Sequence, residues 1–139
     1  MKRLLFILVL FVGLIGVLAA QDTSTADRMI ENFDNASREI KVRILRTAQE
    51  QGGEGMGPLY RTALQYVVAN SDTISSDQQL QEMGRISVEG IVQTGYSQAA
   101  RDIWQLFQNY QDTQARVQLL QALAAVDVEN QRLLPSLND

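Results

Sequence analysis

The sequence predicts an all-α protein: an α-solenoid of about three antiparallel helix pairs, preceded by a signal peptide. Three observations point there. Apolar residues beyond the first 20 recur at intervals of three and four, the helical period, and strand-like alternation is nearly absent. Cap residues stand at the borders of these periodic runs. The cap-to-cap spacing then repeats along the chain, as it does in stacked helical arrays.

The leader comes first. Lys2 and Arg3 form a short positive start, and Leu4 to Leu18 follow as an apolar run broken only by Gly13 and Gly16. The run leaves through Ala19 and Ala20 into the polar Gln21-Asp22-Thr23-Ser24-Thr25. Positive start, apolar middle and small-residue exit are the parts of a secretory signal, with cleavage expected near Ala19 or Ala20. The alternative is an uncleaved membrane anchor, for which 17 apolar residues lie at the short limit. Either way the remainder is expected outside the cytoplasm, in the periplasm or the extracellular space.

Residues 21–36 read as a polar linker with a short leading helix around Met29, Ile30 and Phe33. Residues 37–139 carry the repeats. Ile40, Ile44, Leu45 and Ala48 trace the first apolar stripe, ending at Gly52-Gly53. Leu59, Ala63, Leu64, Val67 and Val68 trace the second, with Pro58 in its first turn, where a missing N–H costs nothing. Leu80, Met83, Gly84, Ser87, Val88 and Ile91 trace the third, stopped by Gly95. Ala99, Ala100, Ile103, Trp104, Phe107 and Tyr110 trace the fourth, and Ala115, Leu119, Ala122, Leu123 and Val126 the fifth. Leu133, Leu134 and Leu137 suggest a sixth, limited by Pro135: a capping helix, a chain cut short, or an end completed by a partner. Ser37, Asp77, Ser97 and Asp112 are the expected N-caps, each offering an oxygen to free backbone N–H groups.

Aligned on their caps, the odd-numbered helices open alike. Asp112 is followed by Ala115-Arg116, Leu119 and Ala122-Leu123; Asp77 by Leu80-Gln81, Gly84 and Ser87-Val88; Ser37 by Ile40-Lys41, Ile44 and Thr47-Ala48. The starts lie 40 and 35 residues apart, and Leu59, Ala100 and Leu133 follow their caps by 22, 23 and 21 residues. On these residues the chain resembles the HEAT-repeat family, whose first helix often carries an Asp cap, an Arg one turn on, and Ala-Leu beyond. Asp112, Arg116, Ala122 and Leu123 match that pattern; Gln81 and Lys41 stand where Arg is usual, and Ser37 where Asp is. The resemblance implies paired antiparallel helices and a role in binding other proteins. Independently of the name, one helix pair cannot bury both faces, so about three must stack.

Composition narrows the function. The 139 residues contain no His and no Cys, which removes the commonest general base, thiolate chemistry, disulfides and a lipidated N-terminal Cys. The formal charge is -4, and loss of Lys2 and Arg3 makes it -6, which disfavours nucleic acid. The carboxylates Asp22, Asp27, Glu31, Asp34, Asp127, Glu129 and Asp139 fit solvated helix ends better than a glycosidase pair. The loop Gly52-Gly53-Glu54-Gly55-Met56-Gly57 lacks the Lys-Ser/Thr ending of a phosphate loop and reads as an inter-helix turn. No cofactor or metal is implied. Arg38, Lys41, Arg43 and Arg46 read as a solvated basic helix face, and Trp104 and Tyr66 as core. Tyr60 and Tyr96, nearer helix edges, join Arg43 and Arg46 as the candidate partner-binding surface. The expectation is an exported, non-enzymatic protein-binding or scaffold module. The rivals are a membrane-anchored envelope protein and a carboxylate-dependent exported hydrolase or enzyme subunit.

Overall fold

The computed structural model describes residues 25–126, and among these every regular element is helical. The leader and the helix expected around Leu133–Leu137 lie outside the described residues. Six α-helices follow in order: α1 (25–35), α2 (Arg38–Gln51), α3 (Gly57–Ala69), α4 (Gln78–Thr94), α5 (Ala100–Asn109) and α6 (Thr113–Val126). Helix α1 is longer than the short leading helix expected, and it begins inside the segment read as linker.

The ends of the helices follow backbone chemistry. Gly52 and Gly53 close α2 at φ 67° and 111°, where a side chain is strained. Gly95 closes α4 in the left-handed region; its own N–H bonds Val92 O and that of Tyr96 bonds Ile91 O, a Schellman pair. Asp77 caps α4 through Gln79 N and Leu80 N, and Asp112 caps α6 through Ala115 N. Two expected caps differ. Ser37 makes no side-chain cap bond, and Ser97 opens a 3₁₀ turn (Ser97–Ala99) rather than α5 itself. The backbone carbonyl of Ser37 still accepts from Lys41 N, so α2 starts at its expected place without the hydroxyl.

Helix α4 lies at the centre. It buries residues on more than one side, including Leu80, Met83, Ile86, Ser87 and Ile91, because α2, α3 and α6 all pack on it. Helix α3 also packs on α5, and α5 on α6, whereas α2 meets α3 only narrowly. Consecutive helices therefore pair most closely as α3 with α4 and α5 with α6, one helix out of step with the expected pairs. The α2 stripe is rotated as well. Its buried residues are Lys41, Val42, Leu45 and Ala48, while Ile40 is 38% exposed.

Several polar bonds between helical segments fall at separations of 36 to 41 residues, although Arg38 also reaches Tyr66 and Asn70 at 28 and 32. Arg38 binds Asp77 39 residues away, Arg46 binds Glu82 at 36, and Gln49 binds Glu89 at 40. Arg61 binds Asp102 at 41, and Asn109 binds Ser71 at 38. The expected cap spacings of 40 and 35 residues have nearly the same length.

Position five has the same task in two of the three aligned segments. Lys41 Nζ, buried at 4% exposure, donates to Phe33 O and to Asp34 O, the last carbonyls of α1. Gln81 Nε2 donates to Ile74 O at 2.8 Å and Ser75 O at 3.2 Å. Both reach back six to eight residues to carbonyls at the end of the preceding segment, where Phe33 O also accepts from Ala36 N and Ile74 O from Asp77 N. Arg116, at the matching position, reaches back over the Phe107 ring, its guanidinium carbon 4.4 Å from the centroid. Lys41 thus belongs to the interior and not to a solvated basic face, because the C-terminal carbonyls of α1 and the rings of Phe33 and Tyr66 replace its water.

Candidate partner-binding surface

Of the four residues expected to form a binding surface, the two tyrosines are buried or half-buried and the two arginines are exposed. Tyr60 is 2% exposed, which corrects the exposure expected of it. Its position near the start of α3 faces inward because α4 offers Gly90 there: a Cβ on Gly90 would lie 2.5 Å from three carbons of the Tyr60 ring. Burial pushes the Tyr60 hydroxyl above the usual phenol range. Tyr96 is half-buried, with its ring against Gly57 and its hydroxyl donating to Gln98 Oε1 at 3.0 Å. Arg43 and Arg46 are exposed on α2. Arg43 bonds Glu39 one turn back at 3.4 Å, and Arg46 Nε bonds Glu82 of α4 at 3.0 Å.

Two residues expected in the core stand at its margin. Trp104 is half-buried and stacks on Phe107 at 5.1 Å between ring centroids. Tyr66 is half-buried too; its ring meets Phe33 edge-on and its hydroxyl accepts from Arg38 Nε at 3.2 Å. Arg38 also binds the Asp77 carboxylate and reaches Asn70 Oδ1, so one guanidinium ties α2 to the end of α3 and the cap of α4. The cap bond from Leu80 N, with Arg38 adding to it, holds the Asp77 carboxyl below the usual carboxylate range. Across α3 and α5, the buried Asp102 accepts from Arg61 Nε at 2.9 Å, and this bond raises the Arg61 guanidinium pKa.

The concave surface that the fold does build lies elsewhere. A trough of about 480 Å³ runs between α4 and α6, floored by Gly84, Val88, Leu106, Leu119 and Ala122 and edged by Gln81, Arg85, Glu89 and Gln118. At Gln81, Tyr110 and Ala115 it continues into a second hollow of about 720 Å³, lined by Ser71, Asp72, Ile74, Asn109 and Asp112. Tyr110, half-buried at the junction, has its hydroxyl pKa raised by burial and then by Asp112. Sequence reasoning assigned Gly84, Val88, Tyr110, Ala115, Leu119 and Ala122 of this trough to apolar helix stripes and left its other lining residues unassigned. The available signal was α6 itself, which carries apolar side chains on more faces than its neighbours cover: Val117 is 47% exposed while Leu119 and Leu123 are buried.

Comparison with known proteins finds no match, whether to a family model, a curated protein or a solved structure.

The chemistry of the surface is therefore read from its own groups. Among the described residues no three acidic side chains come together as a metal site would require, and no helix is long and apolar enough to cross a membrane. The arginines and carboxylates described above bind one another, as in Arg46–Glu82, Arg61–Asp102 and Arg85–Glu89. The arrangement offers apolar area with a polar rim, which suits association with another surface.

Proposed function

We propose that this chain is an exported, non-enzymatic module of HEAT-like helix pairs that acts by binding another protein. The observation that carries the repeat reading is the common role of Lys41 and Gln81. Two residues placed alike by the cap alignment both reach back to carbonyls at the end of the preceding segment. The packing of α2 on α4, of α4 on α6 and of α3 on α5 supports stacking in two layers. So do the side-chain bonds at separations of 36 to 41 residues. Stacked helix pairs present an extended surface whose recognition is spread over many side chains. The open trough between α4 and α6 is in keeping with that use. The step from fold to role is by analogy, and the absence of His and Cys from the sequence favours binding over covalent or acid–base catalysis.

Export rests on the leader. N-terminal sequencing of the mature protein tests it: a chain starting at Ala20 or Gln21 supports secretion, and an intact Met1 would replace secretion by membrane anchoring. The binding role is tested by affinity capture from envelope extracts under mild cross-linking. A protein cross-linked to residues of the helical domain in stoichiometric yield supports the role. A domain that retains no protein partner removes it.

A further inference from the structure

The two seams beside α4 are built differently. The α2/α4 seam is bridged by Arg46–Glu82 and Gln49–Glu89. Among the described residues no side-chain hydrogen bond or ion pair crosses the α4/α6 seam. In the cap alignment the α6 positions matching Glu82 and Glu89 are Val117 and Ala124. Arg85 binds Glu89 one turn along its own helix, at 2.9 and 3.0 Å. The seam is left as the trough, which spans α4 from Gln81 to Gln93. At 1.5 Å per residue that length is about 18 Å, or roughly three turns of helix.

The trough has a charged end. The hollow that continues it is lined by Asp72 and Asp112 and by no Lys or Arg. Neither carboxylate belongs to an ion pair that the structure shows, and the half-buried Tyr110 ring stands beside them. An apolar floor of one helix length with small residues at Gly84 and Ala122, ending in two carboxylates without a cation and an aromatic ring, matches one kind of occupant.

We propose that the α4/α6 trough docks an amphipathic helix of a partner protein, with leucine-sized side chains against Gly84, Val88, Leu119 and Ala122 and a Lys or Arg received by Asp72 and Asp112. The proposal rests on the reading of the chain as a protein-binding module and adds the face and the chemistry of the partner.

The probe is a displayed library of roughly 18-residue helical peptides with leucine on one stripe and varied polar positions, selected against the protein. The expected winners carry Lys or Arg gathered at one end. Their affinity falls about tenfold on the D72N/D112N variant, whose side-chain amides keep an oxygen able to cap α6, and the salt dependence falls with it. Binding falls at least a hundredfold on V92R/A125R, two exposed trough positions, while the circular dichroism melt is unchanged. Winners indifferent to V92R/A125R, winners without basic ends, or no enrichment at all would overturn the proposal. So would a homodimer broken by V92R/A125R, since the trough would then serve a second copy. Failure of the broader reading looks different. A native partner cross-linked to another face keeps the binding module and removes the trough, whereas no partner on any face removes both.

Discussion

The ring of Tyr60 occupies the space that a side chain at Gly90 would need, with a built Cβ 2.5 Å from Cγ, Cδ2 and Cε2. Helix α4 also holds Gly84, where a Cβ would meet Val67 at 3.5 Å and Leu106 at 3.8 Å, ordinary contact distances. The two glycines are therefore expected to respond oppositely to alanine. Gly90→Ala should destabilise by about 1–3 kcal/mol through overpacking, despite the gain of up to about 1 kcal/mol in helix propensity. Gly84→Ala should be neutral or stabilising by about 0.5–1 kcal/mol. Urea unfolding of both variants checks the signs, and Gly90→Ala combined with Tyr60→Leu should recover part of the loss.

The Arg38–Asp77 junction sets an acid dependence. Asp77 is held below the usual carboxylate range by the Leu80 N–H, with Arg38 adding to it. A lowered folded pKa gives stability that is full above the unfolded value of about 4 and is lost as pH falls through the folded value. Asp77→Asn keeps a capping oxygen and loses the charge, so its stability should depend less on pH in this acid window than that of wild type. Asp77→Ala should lose about 1–2 kcal/mol at neutral pH through the cap alone. Denaturant melts at a series of acid pH values distinguish the variants.

Lys41 holds α1 to the body through its carbonyl bonds and its place between two rings, 4.5 Å from the Phe33 centroid and 4.9 Å from that of Tyr66. Lys41→Met fills similar volume and removes the ammonium donor from both carbonyls, leaving Phe33 O only the Ala36 N–H. The expected cost is about 1–3 kcal/mol. Amide exchange should rise first in residues 25–35, with α4 still protected, because the lost bonds belong to α1. Uniform deprotection across all helices would contradict this assignment.

Ser87 is fully buried in α4, and its hydroxyl oxygen has no hydrogen-bond partner. An unmade buried hydrogen bond costs about 1–3 kcal/mol. Ser87→Ala removes the hydroxyl and little volume, so it should be neutral or stabilising. A rise in melting temperature of a few degrees is the expected reading for a domain of this size.

Much of the helical order was legible because it depends on neighbours in the chain. Period, glycine stops at Gly52, Gly53 and Gly95, and the caps Asp77 and Asp112 are local features whose physics acts within a turn or two. Ser37 and Ser97 marked borders without capping them, since a hydroxyl is optional where the backbone already turns correctly.

The candidate surface was much less legible. Tyr60 reads as an edge residue until Gly90 is seen to admit its ring, and these two stand on different helices. Lys41 reads as a solvated cation until the carbonyls of Phe33 and Asp34 are placed around it. The trough joins residues of α4 and α6 that sequence alone can assign only to separate stripes.

By itself, then, the sequence determined the order of helices α2 to α6 and several of their ends, because hydrogen bonding along a helix is local and apolar period is written in residue spacing. Tertiary structure decided which helices pair most closely, which cation is buried and which seam stays open. Those outcomes depend on side chains some 35 to 40 residues apart competing for the same space, and no local pattern encodes the winner.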